Sequence, residues 1–163
     1  MRNATETTMS SHDISVLREG RESELAAQWI YQEWARYESD ATWAQNQNDI
    51  ARSLDASVTI PKFFGARANG ELVGIASIVP HDLPTRPALG PWLANVLVLP
   101  SWRRRGIGGA LVQHVMDYAG ALEMPFYLYT ADQAALYERL GWQTIEQDSY
   151  VGKPITLMRY PPA

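Results

Sequence analysis

The chain contains no cysteine among its 163 residues. Disulfide frameworks, zinc ribbons, thiol redox centres and cysteine nucleophiles are therefore excluded, and with them a thioester intermediate on the protein itself. This absence is compatible with a cytoplasmic location, which we expect. Histidine is also scarce, and the three histidines show no metal-ligand spacing, so we expect no metal site.

Excess positive charge and long apolar runs are lacking too. The formal net charge of −4 argues against a nucleic-acid-binding protein, because such binding requires many Lys and Arg side chains to neutralise phosphates. The longest uncharged run, from Pro87 to Trp102, is too short and too rich in proline to cross a bilayer as a helix. We therefore expect neither nucleic acid nor a membrane as a partner.

The composition that is present fits one globular domain. Apolar residues make up 46% of the chain and charged residues 20%, which is enough to bury one substantial core. Residues 1–13 are polar and are expected to form a flexible N-terminal tail ahead of a domain spanning residues 14–163. The pair Asn69-Gly70 between two β-rich runs predicts a hairpin. A nearly all-apolar run at residues 92–99 predicts a central strand.

The most informative pattern is this buried strand, followed by a basic, glycine-rich turn and then an amphipathic helix from Ile107 to about Gly120. Glycines at 106, 108 and 109 allow a ligand to approach the backbone closely. The unpaired N–H groups and the partial positive charge of a helix N-terminus attract anions. We therefore predict a phosphate or pyrophosphate at this turn, in a positive field supplied by Arg103, Arg104 and Arg105.

Two common phosphate-binding motifs do not fit this turn. The chain has no G-x-x-x-x-G-K-[S/T] sequence, so a nucleotide site of the Walker type is missing. A dinucleotide fingerprint that begins at Gly106 would require glycine at the position of Leu111.

Two short motifs resemble those of a known family, the GNAT superfamily of acetyl-CoA-dependent N-acetyltransferases. Residues 103–108 match the signature [Gln/Arg]-x-x-Gly-x-[Gly/Ala], and residues 137–142 match Tyr-x-x-x-Gly-[Phe/Tyr/Trp]. The resemblance covers about residues 14–160, and residues 92–142 carry its specific part. Together with the predicted elements, it implies a single α/β (α+β) domain with a mixed, mostly antiparallel twisted sheet flanked by helices.

The resemblance also implies acetyl-CoA as the cosubstrate, and it assigns cofactor contacts to particular residues. The backbone of Leu97, Val98 and Leu99 would bind the pantetheine arm and the thioester. Thr130 stands where the family often has an asparagine that touches the cofactor arm. The pyrophosphate would lie on the N–H groups of Arg105, Gly106, Ile107, Gly108, Gly109 and Ala110.

The activity implied is direct transfer of an acetyl group to a primary amine. The resemblance assigns Tyr137 as the proton donor to the leaving thiolate, whereas the residue pattern alone favours core packing. The base stays open, with Glu33, His81, Asp82, Asp132 and water as candidates. His114 lies near the apolar face of its helix, where a structural role is expected.

Several alternatives remain open on the sequence alone. The protein could be a non-catalytic acyl-CoA-binding regulator or sensor, or a binder of an acyl carrier or a nucleotide phosphate. The acceptor could be an amine-bearing small molecule or a peptide, and a homodimer is compatible with the resemblance. The loop from Pro80 to Pro91 could select the acceptor by holding Asp82 and Arg86 at the reaction centre. A pocket for the acceptor could be walled by Trp34, Trp43 and Trp92.

Overall fold

The computed structural model describes residues 13–163, so the predicted tail lies outside the described residues except for Asp13. The described part contains seven strands and four α-helices. The strands are β1 (Ile14–Val16), β2 (Lys62–Ala68), β3 (Glu71–Val79), β4 (Trp92–Val98), β5 (Phe126–Thr130), β6 (Gln143–Tyr150) and β7 (Lys153–Tyr160). The helices are α1 (Arg21–Glu33), α2 (Asp40–Ser53), α3 (Ile107–Ala121) and α4 (Ala134–Arg139).

The seven strands form one sheet in the order β1-β2-β3-β4-β5-β7-β6. Every neighbouring pair is antiparallel except β4 and β5, which run parallel. The predicted fold class, a mixed and mostly antiparallel sheet flanked by helices, is therefore confirmed. Among residues 13–163, none of the helices has the length and apolarity that a bilayer crossing requires.

Each face of the sheet carries its own apolar layer, because successive strand residues point to opposite faces. On one face, Leu111 and Val115 of α3 pack against Phe64 of β2. On the other face, Ile30 of α1 and Ile50 of α2 join the second apolar layer. Burial of these side chains on both faces fixes the sheet between α3 and the α1–α2 pair.

The structure agrees with the predicted hairpin turn and differs from the predicted start of α4. Asn69 and Gly70 join β2 to β3 with positive φ angles of 53° and 81°, as a two-residue hairpin turn requires. In the sequence, Thr130 and Gln133 match the spacing of a capping box, which predicts a helix that opens at Thr130. The Thr130 hydroxyl does accept the Gln133 N–H at 3.0 Å, but α4 begins only after Gln133. That expectation is wrong by one turn because the hydroxyl closes a separate turn before the helix.

Candidate functional site

The sheet splits open between β4 and β5. These parallel strands share a single register pair, Trp92 with Tyr127, and the Tyr127 N–H donates to the Pro91 carbonyl at 3.0 Å. Beyond that point the strands have no further pairing, and residues 95–98 are only half-buried. The split between β4 and β5 therefore connects the two faces of the sheet.

A bulge in β4 lies where the strand leaves its neighbour. Asn95 has a φ of 57°, and the register between β3 and β4 shifts at this point. The Asn95 amide donates to the Ser77 hydroxyl at 2.9 Å, and that hydroxyl donates to the Ala94 carbonyl at 3.0 Å. Bulges bend the strand that contains them. Sequence reasoning missed Asn95, although a lone asparagine in an apolar strand is a signal for a left-handed residue.

The backbone of β4 offers fewer free groups than the sequence predicts. The Leu99 N–H already donates to the Val73 carbonyl at 2.9 Å, so it points to β3. Because backbone groups alternate along a strand, Leu97 also points to β3 and Val98 points to the split. The Val98 carbonyl accepts a hydrogen bond from Nε of Arg103 at 2.9 Å. The structure therefore removes the Leu99 N–H from the predicted set and leaves Val98 best placed.

The glycine-rich turn presents a cluster of free amides. Gly106 caps α3 in the left-handed conformation with a φ of 82°. Within residues 13–163, the N–H groups of residues 105–109 have no hydrogen-bond acceptor. The Ala110 N–H, which was also predicted to bind the cofactor, donates to the Gly106 carbonyl at 3.0 Å. We call residues 105–109 the amide cradle.

The space in front of the amide cradle is open. A Cβ atom at Gly109 would meet nothing within 4 Å, and one at Gly108 would meet only a Val98 methyl at 3.7 Å. The three arginines of the turn are exposed, and none forms an ion pair with another described residue. Arg105 stacks on the Trp102 ring at 4.8 Å, and Arg104 has a φ of 64°. Their positive charge is therefore available to an anionic ligand.

Tyr137 lies on the same face of the sheet as the amide cradle. Its ring is buried against Trp142, with the ring centroids 6.2 Å apart. Its hydroxyl oxygen makes no hydrogen bond within residues 13–163 but keeps contact with solvent. Burial, with a smaller contribution from the charge of Asp132, raises the pKa of Tyr137 to about 12. The phenol is therefore protonated at neutral pH and can donate a proton.

Carboxyl groups from three separate elements lie on the opposite face. Glu38 precedes α2, Asp49 lies on α2, and Asp82 follows β3. Burial first, and then the charges of Glu38 and Asp49, raise the pKa of Asp82 to about 8. Burial also raises the pKa of Asp49 to about 6, against the opposing effect of Arg52 and His81. Sequence reasoning missed Glu38 and Asp49.

Two tyrosines complete this group beside the split. The Tyr150 hydroxyl donates to a Glu38 carboxylate oxygen at 2.9 Å, and the Tyr150 ring lies 5.8 Å from that of Tyr129. Tyr129 belongs to the part of β5 that has left β4, and its ring lies 6.2 Å from Trp92. Burial is the main cause that raises the pKa of both tyrosines. We call Glu38, Asp49, Asp82, Tyr129 and Tyr150 the carboxylate pocket.

The structure separates the four predicted base candidates. Asp82 and His81 line a cavity of about 190 Å³ against α2, where Gln45 donates to the His81 carbonyl at 3.0 Å. Glu33 is exposed at the end of α1, and Asp132 is exposed just before α4. Of the four, only Asp82 is a half-buried member of the carboxylate pocket.

Other side chains expected near the reaction centre have different positions. Arg86 is engaged by two carboxylates of β6, those of Glu146 at 2.6 Å and Asp148 at 2.7 Å, rather than free for an acceptor. Trp92 is fully buried and therefore belongs to the core, whereas Trp34 and Trp43 are half-buried.

His114 is half-buried with its ring 4.8 Å from that of Phe64, and burial lowers its pKa. This environment agrees with the structural role expected of it. Within the described part of the chain, no cluster of side chains is suited to holding a metal ion.

Comparison with known proteins shows which family the chain belongs to. A model of the GNAT acetyltransferase domain matches residues 60–144, which is more than half of the chain. Comparison with curated proteins gives no match.

Solved structures resemble the fold at low sequence identity. A protein of Bordetella pertussis assigned to the GnaT acetyltransferase family is 17% identical, with a TM-score of 0.66 over 90% of this chain and 93% of that one. An aminoglycoside 6'-N-acetyltransferase in complex with coenzyme A is 18% identical, with a TM-score of 0.63 over 90% and 94%.

A Corynebacterium glutamicum protein, described as histone acetyltransferase HPA2 and related acetyltransferase, is 23% identical, with a TM-score of 0.63 over 93% and 97%. At these identities the structural matches establish the fold alone. The domain model covers the strand, turn and helix that carry the amide cradle. The chain therefore belongs to the GNAT acetyltransferase family.

Proposed function

We propose that the protein transfers the acetyl group of acetyl-CoA directly to a primary amine. The observation that carries this proposal is the split between β4 and β5, which connects the amide cradle on one face with the carboxylate pocket on the other. Two substrates that approach from opposite faces can meet in such an opening. The proposal covers one domain, residues 14–163, in the cytoplasm, with a small-molecule or peptide amine as acceptor.

The residues around the split suit a CoA thioester. Free N–H groups and unpaired arginines at residues 103–109 favour a pyrophosphate. The backbone of Val98 offers polar groups to the amide bonds of a pantetheine arm, and Thr130 lies at the end of β5 on the other side of the split. When bound, acetyl-CoA supplies an activated acetyl group.

Proton transfer requires one acceptor and one donor. An alkyl ammonium has a pKa of about 10.4, so the attacking amine must lose a proton at neutral pH. We propose that Asp82 takes this proton, because it is the half-buried carboxyl of the pocket that also borders the cavity. On the other face, Tyr137 protonates the leaving sulfur as the C–S bond breaks.

Thiol release from acetyl-CoA, measured with a panel of amines, tests the proposed function. The panel contains a monoamine, a diamine, an aminosugar and a peptide with a free N-terminus. We expect amine-dependent release of CoA and a product heavier by one acetyl group. Binding of CoA without turnover on any member of the panel would instead identify an acyl-CoA-binding regulator.

The pH profile tests the assignment of Asp82. Because its pKa of about 8 lies far above the usual carboxyl range, the basic form becomes dominant only above that pH. We expect kcat/KM for the amine to rise through pH 8 and to rise further as the amine itself loses its proton. Asp82→Asn should abolish the first rise and keep the second. An unchanged profile in the variant would remove Asp82 from the role of base.

A further inference from the structure

No cationic side chain is in ion-pair contact with the carboxylate pocket within the described part of the chain. Glu38, Asp49 and Asp82 form no ion pair, although they come from three separate elements. Within residues 13–163, the one hydrogen bond to these carboxyl groups comes from the neutral phenol of Tyr150, which donates to Glu38 at 2.9 Å. Three carboxyl groups are therefore gathered without an ion-paired cation, and the charges of Glu38 and Asp49 raise the pKa of Asp82.

Asp49 is the most deeply buried of the three acidic residues. The residue is only 5% exposed, and its carboxylate makes no hydrogen bond within residues 13–163 but keeps contact with solvent. It lies one turn after Gln45 and Asn46 on α2, and both of these line the cavity that Asp82 borders. A largely desolvated carboxylate without a protein donor is costly, and its remaining solvent contact leaves it accessible to a donor that an incoming ligand would supply.

The basic side chains of the neighbourhood leave this need unmet. Arg52 and His81 act on Asp49 only through longer-range attraction, and both are exposed. Arg86, on the same loop as Asp82, is held by Glu146 and Asp148. Among the described residues, no basic side chain therefore forms an ion pair with Glu38, Asp49 or Asp82.

We propose that the carboxylate pocket selects acceptors that carry a second ammonium group in addition to the amine that is acetylated. This inference rests on the proposed function. Asp82 takes the proton whose loss makes the reacting nitrogen a neutral amine, and this nitrogen bonds to the acetyl carbon. The C–S bond then breaks as the sulfur takes a proton from Tyr137. The second proton that the nitrogen loses on becoming an amide returns to Tyr137 through solvent. Once Asp82 is used in this way, Glu38 and Asp49 remain to bind a cation that keeps its charge.

The aromatic side chains of the pocket fit the rest of such a molecule. Tyr129 and Tyr150 lie edge to face beside the split, with ring centroids 5.8 Å apart. Aromatic faces attract ammonium groups and pack against methylene or sugar carbons. The shared chemistry is a small aliphatic molecule with two or more amines, which either a linear diamine or an aminosugar provides.

Comparison of matched substrates tests this rule on the unaltered protein. We would measure kcat/KM with saturating acetyl-CoA for 1,4-diaminobutane, 1-aminobutane and kanamycin. A charge pair in a half-buried site supports a preference of at least about tenfold for one of the two polycationic amines over 1-aminobutane, well beyond the statistical factor for an extra amine. Whichever of 1,4-diaminobutane and kanamycin is used better shows whether the acceptor is a linear diamine or an aminosugar. Equal or better use of 1-aminobutane would overturn the inference.

Substitutions of single residues test whether the carboxylate pocket causes the preference for a polycationic amine. Glu38→Gln and Asp49→Asn should each raise KM for the preferred polycation by about tenfold more than they raise KM for 1-aminobutane. Glu24→Gln, which removes an exposed carboxylate from α1, is the control with the same charge change and should alter neither value. If both amines respond alike to Glu38→Gln, the pocket does not recognise the second charge. Because Glu38 is only half-buried, Glu38→Gln still tests the inference if Asp49→Asn fails to fold.

Amine binding separates failure of this inference from failure of the proposed function. Thermal unfolding with 1,4-diaminobutane, kanamycin or 1-aminobutane should show stabilisation by a polycation that is lost in Glu38→Gln, whether or not acetyl transfer occurs. Stabilisation without turnover on any amine would overturn the transferase and keep the polycation site. Efficient acetylation of a monoamine or peptide, without preference for a polycation, would keep the transferase and overturn the polycation site.

Discussion

At the scale of single residues, Tyr137 combines a buried ring with an accessible hydroxyl. Its contact with Trp142 gives it a packing role, and its raised pKa keeps the phenol protonated. These two roles are separable, because replacement by phenylalanine removes the oxygen and leaves the ring.

Tyr137→Phe is expected to lower kcat by about tenfold to a hundredfold, since proton donation to the leaving group contributes on that scale. The dissociation constant of CoA should change by less than about twofold. Steady-state kinetics and calorimetry measure both quantities. Tyr160→Phe is the matched control, because this half-buried tyrosine also packs on Trp142, with ring centroids 5.6 Å apart. Equal losses in kcat and CoA affinity would assign Tyr137 to packing alone.

Gly108→Asp is expected to weaken CoA binding by about tenfold or more, because it places a negative charge in front of the amide cradle. An acidic residue in the first turn favours the helix itself, so the free protein should not lose stability. Calorimetry with CoA measures the affinity, and thermal unfolding measures the stability. Gly120→Asp makes the same change at the other end of α3, where a Cβ also meets nothing within 4 Å, and should leave the affinity unaltered. Retained affinity in Gly108→Asp would exclude the cradle as the anion site.

At the scale of elements, the loop between β3 and β4 is tied to the far edge of the sheet. Arg86 in this loop donates to Glu146 and Asp148 of β6, the edge strand on the side of β7. The same loop carries Asp82, whereas Tyr150 at the end of β6 contacts Glu38. The arginine therefore holds together two elements that each supply a member of the carboxylate pocket.

Arg86→Gln is expected to raise KM for the amine by about threefold to tenfold, because a loosened loop no longer fixes Asp82. The free energy of unfolding should fall by no more than about 1 kcal/mol, since partly exposed ion pairs contribute little. Amine kinetics and urea unfolding test the two statements. Arg21→Gln, which removes an exposed pair with Glu71 at 3.5 Å, is the control and should not change KM. A large loss of stability without a change in KM would make the tie purely structural.

At the scale of the whole molecule, the carboxylate pocket reduces stability at neutral pH. The pKa of Asp82 is raised to about 8 in the folded protein from a usual value of 3.8. Between these values the folded state binds the proton more tightly than the unfolded state does. The contribution of Asp82 to stability therefore falls as pH rises through this range.

Asp82→Asn is expected to stabilise the protein by about 1 kcal/mol or more at pH 8 and to have almost no effect near pH 4. Urea unfolding of the variant and the parent across this range measures the difference. The exposed Asp132→Asn serves as the control and should give a difference that does not grow with pH. If Asp82→Asn destabilises the protein equally at both pH values, the carboxyl is not held in a desolvated site.

Local patterns accounted for much of the fold and for one half of the candidate site. The hairpin at Asn69 and Gly70 and the start of α3 follow from residues that are neighbours in the chain. The glycines of the amide cradle belong to one continuous motif for the same reason. The start of α4 was placed wrongly because Thr130 closes its own turn before the helix begins.

The sequence by itself determined the amide cradle, because a glycine-rich turn that opens a helix needs no distant residue to present its N–H groups. Only the tertiary structure decided the other half of the site. The divergence of β4 from β5 occurs at the Asn95 bulge, where Asn95 bonds to Ser77 on a neighbouring strand. The five residues of the carboxylate pocket come from five separate segments between positions 38 and 150, so no continuous stretch of sequence contains the pocket. Its charges are adjacent because packing brings them together, and long-range packing is what a local pattern cannot encode.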